Sequence, residues 1–179
     1  MIPKLVSDGL QVAGPIFFLG MQGSALQTAF KILENKNVNQ LSPLPFVSLL
    51  TNCIVWSIYG VLKADKTVLV PNAIGIFVGF LCALIYHKFS KTIPHRLYLV
   101  ALFTITMALK FSFDKDFYSV GLLGCFLAVV VSGSPLATIK TVLTEKSTAA
   151  LPFLPSVFTW LNSCSWCLYG TLVANDPMV

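Results

Sequence analysis

PFVSLLTNCIVWSIYGVLKA at residues 45–64 and PSVFTWLNSCSWCLYGTLVA at residues 155–174 place Pro, Val, Asn, Trp, Tyr-Gly, Leu and Ala at the same positions, 110 residues apart. Carried back without a gap, the same offset superposes Gly23-Ser24-Ala25-Leu26 on Gly133-Ser134-Pro135-Leu136. It yields 16 identities in the 42 positions between residues 23 and 64. An apolar composition inflates chance matches among Leu and Val, but not among Asn, Trp, Tyr and Pro at one fixed spacing. The chain therefore contains an internal duplication.

Around this repeat the composition sets the solvent. The 179 residues are 56% hydrophobic and 11% charged, with a mean hydropathy of +0.81, against about 25% charged in an ordinary soluble domain. The 12 Lys and Arg are scattered between apolar runs, which excludes a disordered segment and a nucleic-acid-binding patch. Lipid offers the backbone no partners, so the apolar runs read as helices, at about 9–30, 45–62, 67–87, 96–112, 119–140 and 152–173. No alternating pattern suggests a membrane β-barrel.

The fold class expected is an all-α membrane bundle of six crossings in a lipid bilayer. No removable signal peptide is expected, since only Lys4 precedes a first run that carries Gln11, Pro15, Gln22 and Gln27. The loops after helices 1, 3 and 5 hold Lys31, Lys36, Lys88, Lys91, Arg96, Lys140 and Lys146; the opposite side holds Lys4, Lys63, Lys66, Lys110 and Lys115. Seven against five favours an extracellular or lumenal N-terminus.

Helices 1–3 form one unit and helices 5 and 6 begin the second, which leaves helix 4 without a counterpart. A three-pass unit delivers the chain to the opposite side, so a directly following copy would insert upside down. One extra helix restores the direction. The division expected is a first repeat at 1–92, an inversion-linker helix at 93–116 and a second, parallel repeat at 117–179, an arrangement found among transporters.

These residues carry a resemblance. Pro45-Phe46, Asn52-Cys53, Trp56, Tyr59-Gly60 and Pro71-Asn72 in one half, with Gly133-Ser134-Pro135-Leu136, Lys146-Ser147-Thr148, Leu151-Pro152-Phe153, Ser165-Trp166 and Tyr169-Gly170 in the other, resemble the SWEET family of sugar transporters over nearly the whole chain. The resemblance implies seven helices, arranged three, one and three, and low-affinity facilitative uniport of mono- or disaccharides by alternating access. It also implies a homo-oligomer in the plasma or Golgi membrane. Tyr59 precedes Asn72 by thirteen residues, and the same spacing from Tyr169 falls at 182, beyond Val179. The third helix of the second repeat is thus expected to be absent, through a clipped chain or one completed by a partner.

A sugar presents apolar ring faces and a rim of hydroxyls, so its site needs aromatic plates and fixed amides. Trp56 and Trp166 are the candidate plates, one on each side of the pseudo-twofold axis; the competing reading is an interfacial aromatic belt. Asn52 and Asn162 stand one helical turn before them on the same face, as pocket amides or as interhelical glue. Asn72 follows Pro71 inside helix 3. The resemblance gives Asn72 to substrate binding, while a local cap on the proline-broken turn is the alternative. Pro45, Pro135 and Pro152 resemble the family's hinge prolines, and static kinks explain them equally well. Ala25 stands where the repeat would put a proline.

The seven carboxylates, Asp8, Glu34, Asp65, Asp114, Asp116, Glu145 and Asp176, are all mapped to helix ends or loops, so no intramembrane acid is available to couple transport to protons or sodium. Cys53, Cys82, Cys125, Cys164 and Cys167 read as buried free thiols. With only His87 and His95 as possible partners, no metal or cofactor is expected. An intramembrane enzyme lacks a nucleophile with its base. A non-transporting assembly or trafficking protein of the same fold, and a related amino-acid carrier, remain as alternatives. The latter would suit a Pro-Gln dipeptide where Pro45-Phe46 stands.

Overall fold

The computed structural model of the chain describes residues 3–38, 41–132 and 153–179. Its helices are α1 (Lys4–Asn35), α2 (Leu44–Leu62), α3 (Lys66–Phe89), α4 (His95–Phe113), α5 (Phe117–Ser132) and α6 (Phe153–Tyr169), and α6 continues into a π-helical turn, Gly170–Ala174. Among the described residues there is no strand. Helices α2, α3 and α4 are each long and apolar enough to cross a bilayer, and α5 contains a shorter apolar helix, Phe117–Val131. The chain is an integral membrane protein.

The side chains of α3 explain how it packs. Val68, Pro71, Asn72, Gly75, Gly79, Cys82, Ala83 and Tyr86 fall on one face and are buried. Ile74, Phe77, Phe80 and Leu84 fall on the other and are exposed, the surface that suits lipid. Small residues on the inner face let neighbouring backbones approach closely, and α3 packs against both α1 and α2. The two repeats meet where α1 lies on α6 and α2 lies on α5, while α4 rests against α2 and α5. One apolar core, with Ala29, Ile32, Phe46 and Tyr86, closes one end of the first repeat. A second, with Val55, Tyr59, Val68, Ala108, Val120 and Tyr169, joins five helices at the other end.

Several expectations change in detail. Helix α1 starts earlier and ends later than its apolar run, so Asp8 lies in its second turn and Glu34 in its last rather than beyond its ends. Helix 6 ends its α-helical part at Tyr169. Cys53 and Cys82 are buried, but Cys125 and Cys164 are half-buried and Cys167 is exposed; all five are free thiols. Pro45 occupies the first turn of α2, where an N–H has no intrahelical partner in any case, and so interrupts no hydrogen bond. Pro15 and Pro71 do lie inside helices, α1 and α3. Pro135 and Pro152 lie outside the described residues.

The helix ends also show where the ungapped repeat stops. Helix α2 closes with Ala64 in the left-handed region (φ 53°), and the Asp65 N–H donates to the Gly60 carbonyl at 2.9 Å. In the second repeat Asn175 takes the left-handed place (φ 48°) and the Asp176 N–H donates to the Gly170 carbonyl at 2.8 Å. Asp176 therefore matches Asp65 one residue later than the 110-residue offset predicts. A π-helical turn is how a helix absorbs one inserted residue, and Gly170–Ala174 lies in that interval. Deleting Leu172 is expected to convert this turn to α-helix and leave the detergent melting temperature unchanged or higher, whereas deleting Leu62 from α2 lowers it. A large loss of stability on deleting Leu172 would contradict the insertion reading.

Candidate functional site: a cavity between the repeats

A cavity of about 420 Å³ lies at the meeting of the two repeats, within the range of small-molecule sites. Asn52 and Trp56 from α2, Asn72 from α3, and Asn162 and Trp166 from α6 all line it. The five residues singled out from the sequence thus share one space, and neither tryptophan faces lipid alone. The third tryptophan, Trp160, is exposed.

The amides are deployed unequally. The Asn162 carbonyl oxygen accepts from the Trp166 indole N–H at 3.0 Å, so in the second repeat amide and plate are tied within one helix. Asn52 makes no such bond, and its Oδ1 is buried without a hydrogen-bond partner. The Asn72 amide nitrogen donates to the Val68 carbonyl at 2.8 Å, a local bond beside Pro71, while its Oδ1 is also buried and unpartnered. Two buried acceptors at a cavity wall are costly unless something donates to them, at about 1–3 kcal/mol each.

Beside the plates, two tyrosines bridge the repeats. Each stands three residues after its tryptophan and meets it edge-on: Trp56–Tyr59 at 5.4 Å and Trp166–Tyr169 at 5.8 Å between ring centroids. Each tyrosine then crosses to a carboxylate of the other repeat. The Tyr59 hydroxyl donates to Asp176 Oδ2 at 2.7 Å, and the Tyr169 hydroxyl to Asp65 Oδ2 at 2.8 Å. The remaining carboxylate oxygens hold local backbone. Asp65 Oδ1 caps α3 through the Thr67 and Val68 N–H groups, and Asp176 Oδ1 accepts from the Met178 N–H. Lys63 Nζ adds an ion pair to Asp176 at 3.0 Å and lies over the Phe117 ring at 4.5 Å.

Burial alone would push the Asp176 carboxyl up, but the Tyr59 hydroxyl, the Lys63 ammonium and the Met178 N–H outweigh it and hold it below the usual carboxylate value. Reasoning from sequence counted Asp65, Lys63 and Asp176 only as loop charges and took Tyr59 and Tyr169 only as repeat markers. The available signal was the duplicated Tyr-Gly followed at a short interval by an acid. The inserted residue broke its register.

Away from the tyrosines a second cavity of about 550 Å³ adjoins the first, sharing Phe18, Asn52, Ala128 and Asn162 with it and reaching Lys31 and Ser42. Gln22, buried on α1 with neither amide atom partnered, also lines it and was not singled out from the sequence.

Two helical repeats enclosing a polar and aromatic cavity at their interface, hydrogen-bonded to each other beside it, have the architecture of a membrane transport protein. The profile of the family described as "Sugar efflux transporter for intercellular exchange" matches residues 8–94 and 118–179. The chain belongs to this family, the SWEET family that its motifs resemble.

It is similar to the bidirectional sugar transporter SWEET7 of Arabidopsis thaliana, at 29% identity over 87% of this chain and 66% of that protein. It is 31% identical to the sugar transporter SWEET1 of Xenopus laevis, over 90% of this chain and 78% of that one. The chain thus spans about two thirds of the Arabidopsis relative's length. A solved structure of a eukaryotic SWEET transporter superposes with a TM-score of 0.83 at 23% identity, covering 98% of this chain and 87% of that one, and shares its fold.

Proposed function

We propose that the chain acts as a facilitative carrier of a mono- or disaccharide, which is held between Trp56 and Trp166 and released by rocking of the two repeats. The observation that carries this reading is the convergence of two indole plates with three amides on one cavity, two of whose carbonyl oxygens are buried without donors. Ring faces stack on indoles, and sugar hydroxyls donate to such oxygens without any change of charge. The names of the relatives agree with the substrate class.

The paired Tyr–Asp bonds supply a closure. They span the repeats at one end, so opening there requires both to break, while the adjoining cavity gives the other end its passage. The edge contacts between Trp56 and Tyr59 and between Trp166 and Tyr169 link plate to closure, so a sugar seated on the plates bears on the residues that must part. The Lys/Arg distribution, seven against five, favours the extracellular or lumenal side for the end that the Tyr–Asp bonds span.

Counterflow of labelled glucose and sucrose into liposomes tests the reading. Wild type is expected to exchange at least one of them and Trp56→Ala to lose about tenfold or more, as removal of a stacking surface worth about 1.5 kcal/mol implies. Equal exchange by both proteins would remove Trp56 from the site.

Uncoupled uniport also has a pH signature. Because the folded Asp176 carboxyl titrates below its ordinary value, the closure keeps its full strength above that ordinary value and loses it only as pH falls through the lowered one. Exchange is therefore expected to vary by less than about twofold between about pH 5 and 8. Strict dependence on a proton gradient would refute it.

A further inference from the structure

Beneath each indole plate lies a glycine of the opposite repeat. Gly124 of α5 sits under Trp56 of α2, and Gly14 of α1 sits under Trp166 of α6; the two glycines are themselves related by the same 110-residue offset as the two tryptophans. A methyl group placed at Gly124 would fall 2.8, 3.1 and 3.2 Å from Cε2, Cζ2 and Nε1 of Trp56. One placed at Gly14 would fall 3.2, 3.3 and 3.4 Å from Cε2, Cδ2 and Cζ2 of Trp166. Carbon atoms in contact prefer about 3.5–4.0 Å, so a methyl group at Gly124 fits only if the Trp56 ring shifts, while one at Gly14 is tight and needs the Trp166 ring to give by less.

The two seats differ in how far they can yield. Trp166 is tied to Asn162 through its indole N–H, whereas Asn52 gives Trp56 no such tether. A side chain at Gly124 makes the deeper overlap and meets the ring that is freer to move. That ring lines the cavity, and Tyr59 meets it edge-on.

We propose that Gly14 and Gly124 are specificity-determining positions: by setting how far each indole recedes, they set the width of the cavity and hence the largest sugar that it accepts. They act through the tryptophans and touch no sugar themselves. The inference rests on the carrier reading above, because width matters only if a ring must fit between the plates.

The test compares counterflow of a labelled pentose, hexose and disaccharide by wild type, Gly124→Ala, Gly14→Ala and the double variant Gly124→Ala/Trp56→Phe. Gly124→Ala is expected to raise KM more steeply the larger the sugar, by about tenfold for the largest one carried, with little change in maximal rate. Gly14→Ala should act in the same direction and less strongly. The smaller ring of Trp56→Phe should restore part of the lost affinity for the larger sugars in the Gly124→Ala background. A size profile unchanged by Gly124→Ala, or an equal loss for all sugars that phenylalanine does not rescue, would overturn the proposal and leave the glycines as contact points for helix packing.

Exchange of no sugar by wild type would defeat the carrier reading instead. The seat itself is then decided by acrylamide quenching of Trp56 in a Trp160→Phe/Trp166→Phe background. Gly124→Ala must increase quenching if the ring is pushed into the cavity, and unaltered quenching would refute the seat.

Discussion

Asn72→Ala is expected to reduce sugar counterflow at least about tenfold while leaving the detergent melting temperature unchanged or slightly higher. The two ends of one amide, one bonded and one not, produce this split. The amide nitrogen donates to the Val68 carbonyl at 2.8 Å, and a hydrogen bond within a membrane bundle contributes on average about 0.6 kcal/mol. The amide oxygen is buried with no donor, a penalty of about 1–3 kcal/mol that alanine removes. The folded protein therefore loses little or gains. A bound sugar, by contrast, would lose its acceptor, and about 1.4 kcal/mol of lost binding is a factor of ten. Stability and transport falling together would show that Asn72 serves as the cap on the Pro71 turn. Retained transport would remove it from the site.

Asp176→Ala is expected to open the closed end. The substitution deletes the acceptor of the Tyr59 hydroxyl and the partner of Lys63 at once. Lys63 is one-third exposed, so its share is screened and small. Tyr59 is fully buried and would keep an unpartnered hydroxyl in the closed state, costing about 1–3 kcal/mol and shifting the open population at least about fivefold.

Cys125 lines the cavity and reports on it. In a background with Cys164→Ser and Cys167→Ser, an impermeant maleimide applied from the Asp176 side should label Cys125 at least about fivefold faster in Asp176→Ala. Tyr59→Phe should show a smaller increase, because the ion pair survives. Labelling that is unchanged in Asp176→Ala would mean that the Tyr–Asp network does not hold this end shut.

The helices, the repeat and the cavity residues were legible because each is a local property written twice. Apolar length marks a crossing, and Asn52 and Trp56 share a helix face by their spacing of four, as do Asn162 and Trp166. Their recurrence at one offset places them symmetrically about an axis before any contact is known. Gly14 and Gly124 obey the same offset, yet a lone glycine in an apolar helix has many explanations, and its pairing with the other repeat's tryptophan is a matter of tertiary packing. Asp176 was harder still. The residue inserted before it shifted it from the register of Asp65, and a charge three residues after the last apolar run reads as a solvated loop.

The amino-acid sequence by itself determined the solvent, the helical class, the duplication and a set of polar and aromatic residues that the fold brings to one cavity, since composition and periodicity act within a turn or two of helix. Only the tertiary structure decided which amides spend their bonds within their own helices, which oxygens stay unpartnered, and that one end is closed by Tyr59 on Asp176 and Tyr169 on Asp65. Those partners are 117 and 104 residues apart. A hydrogen bond across such a distance exists only when packing brings its two ends together, and no local pattern encodes that distance.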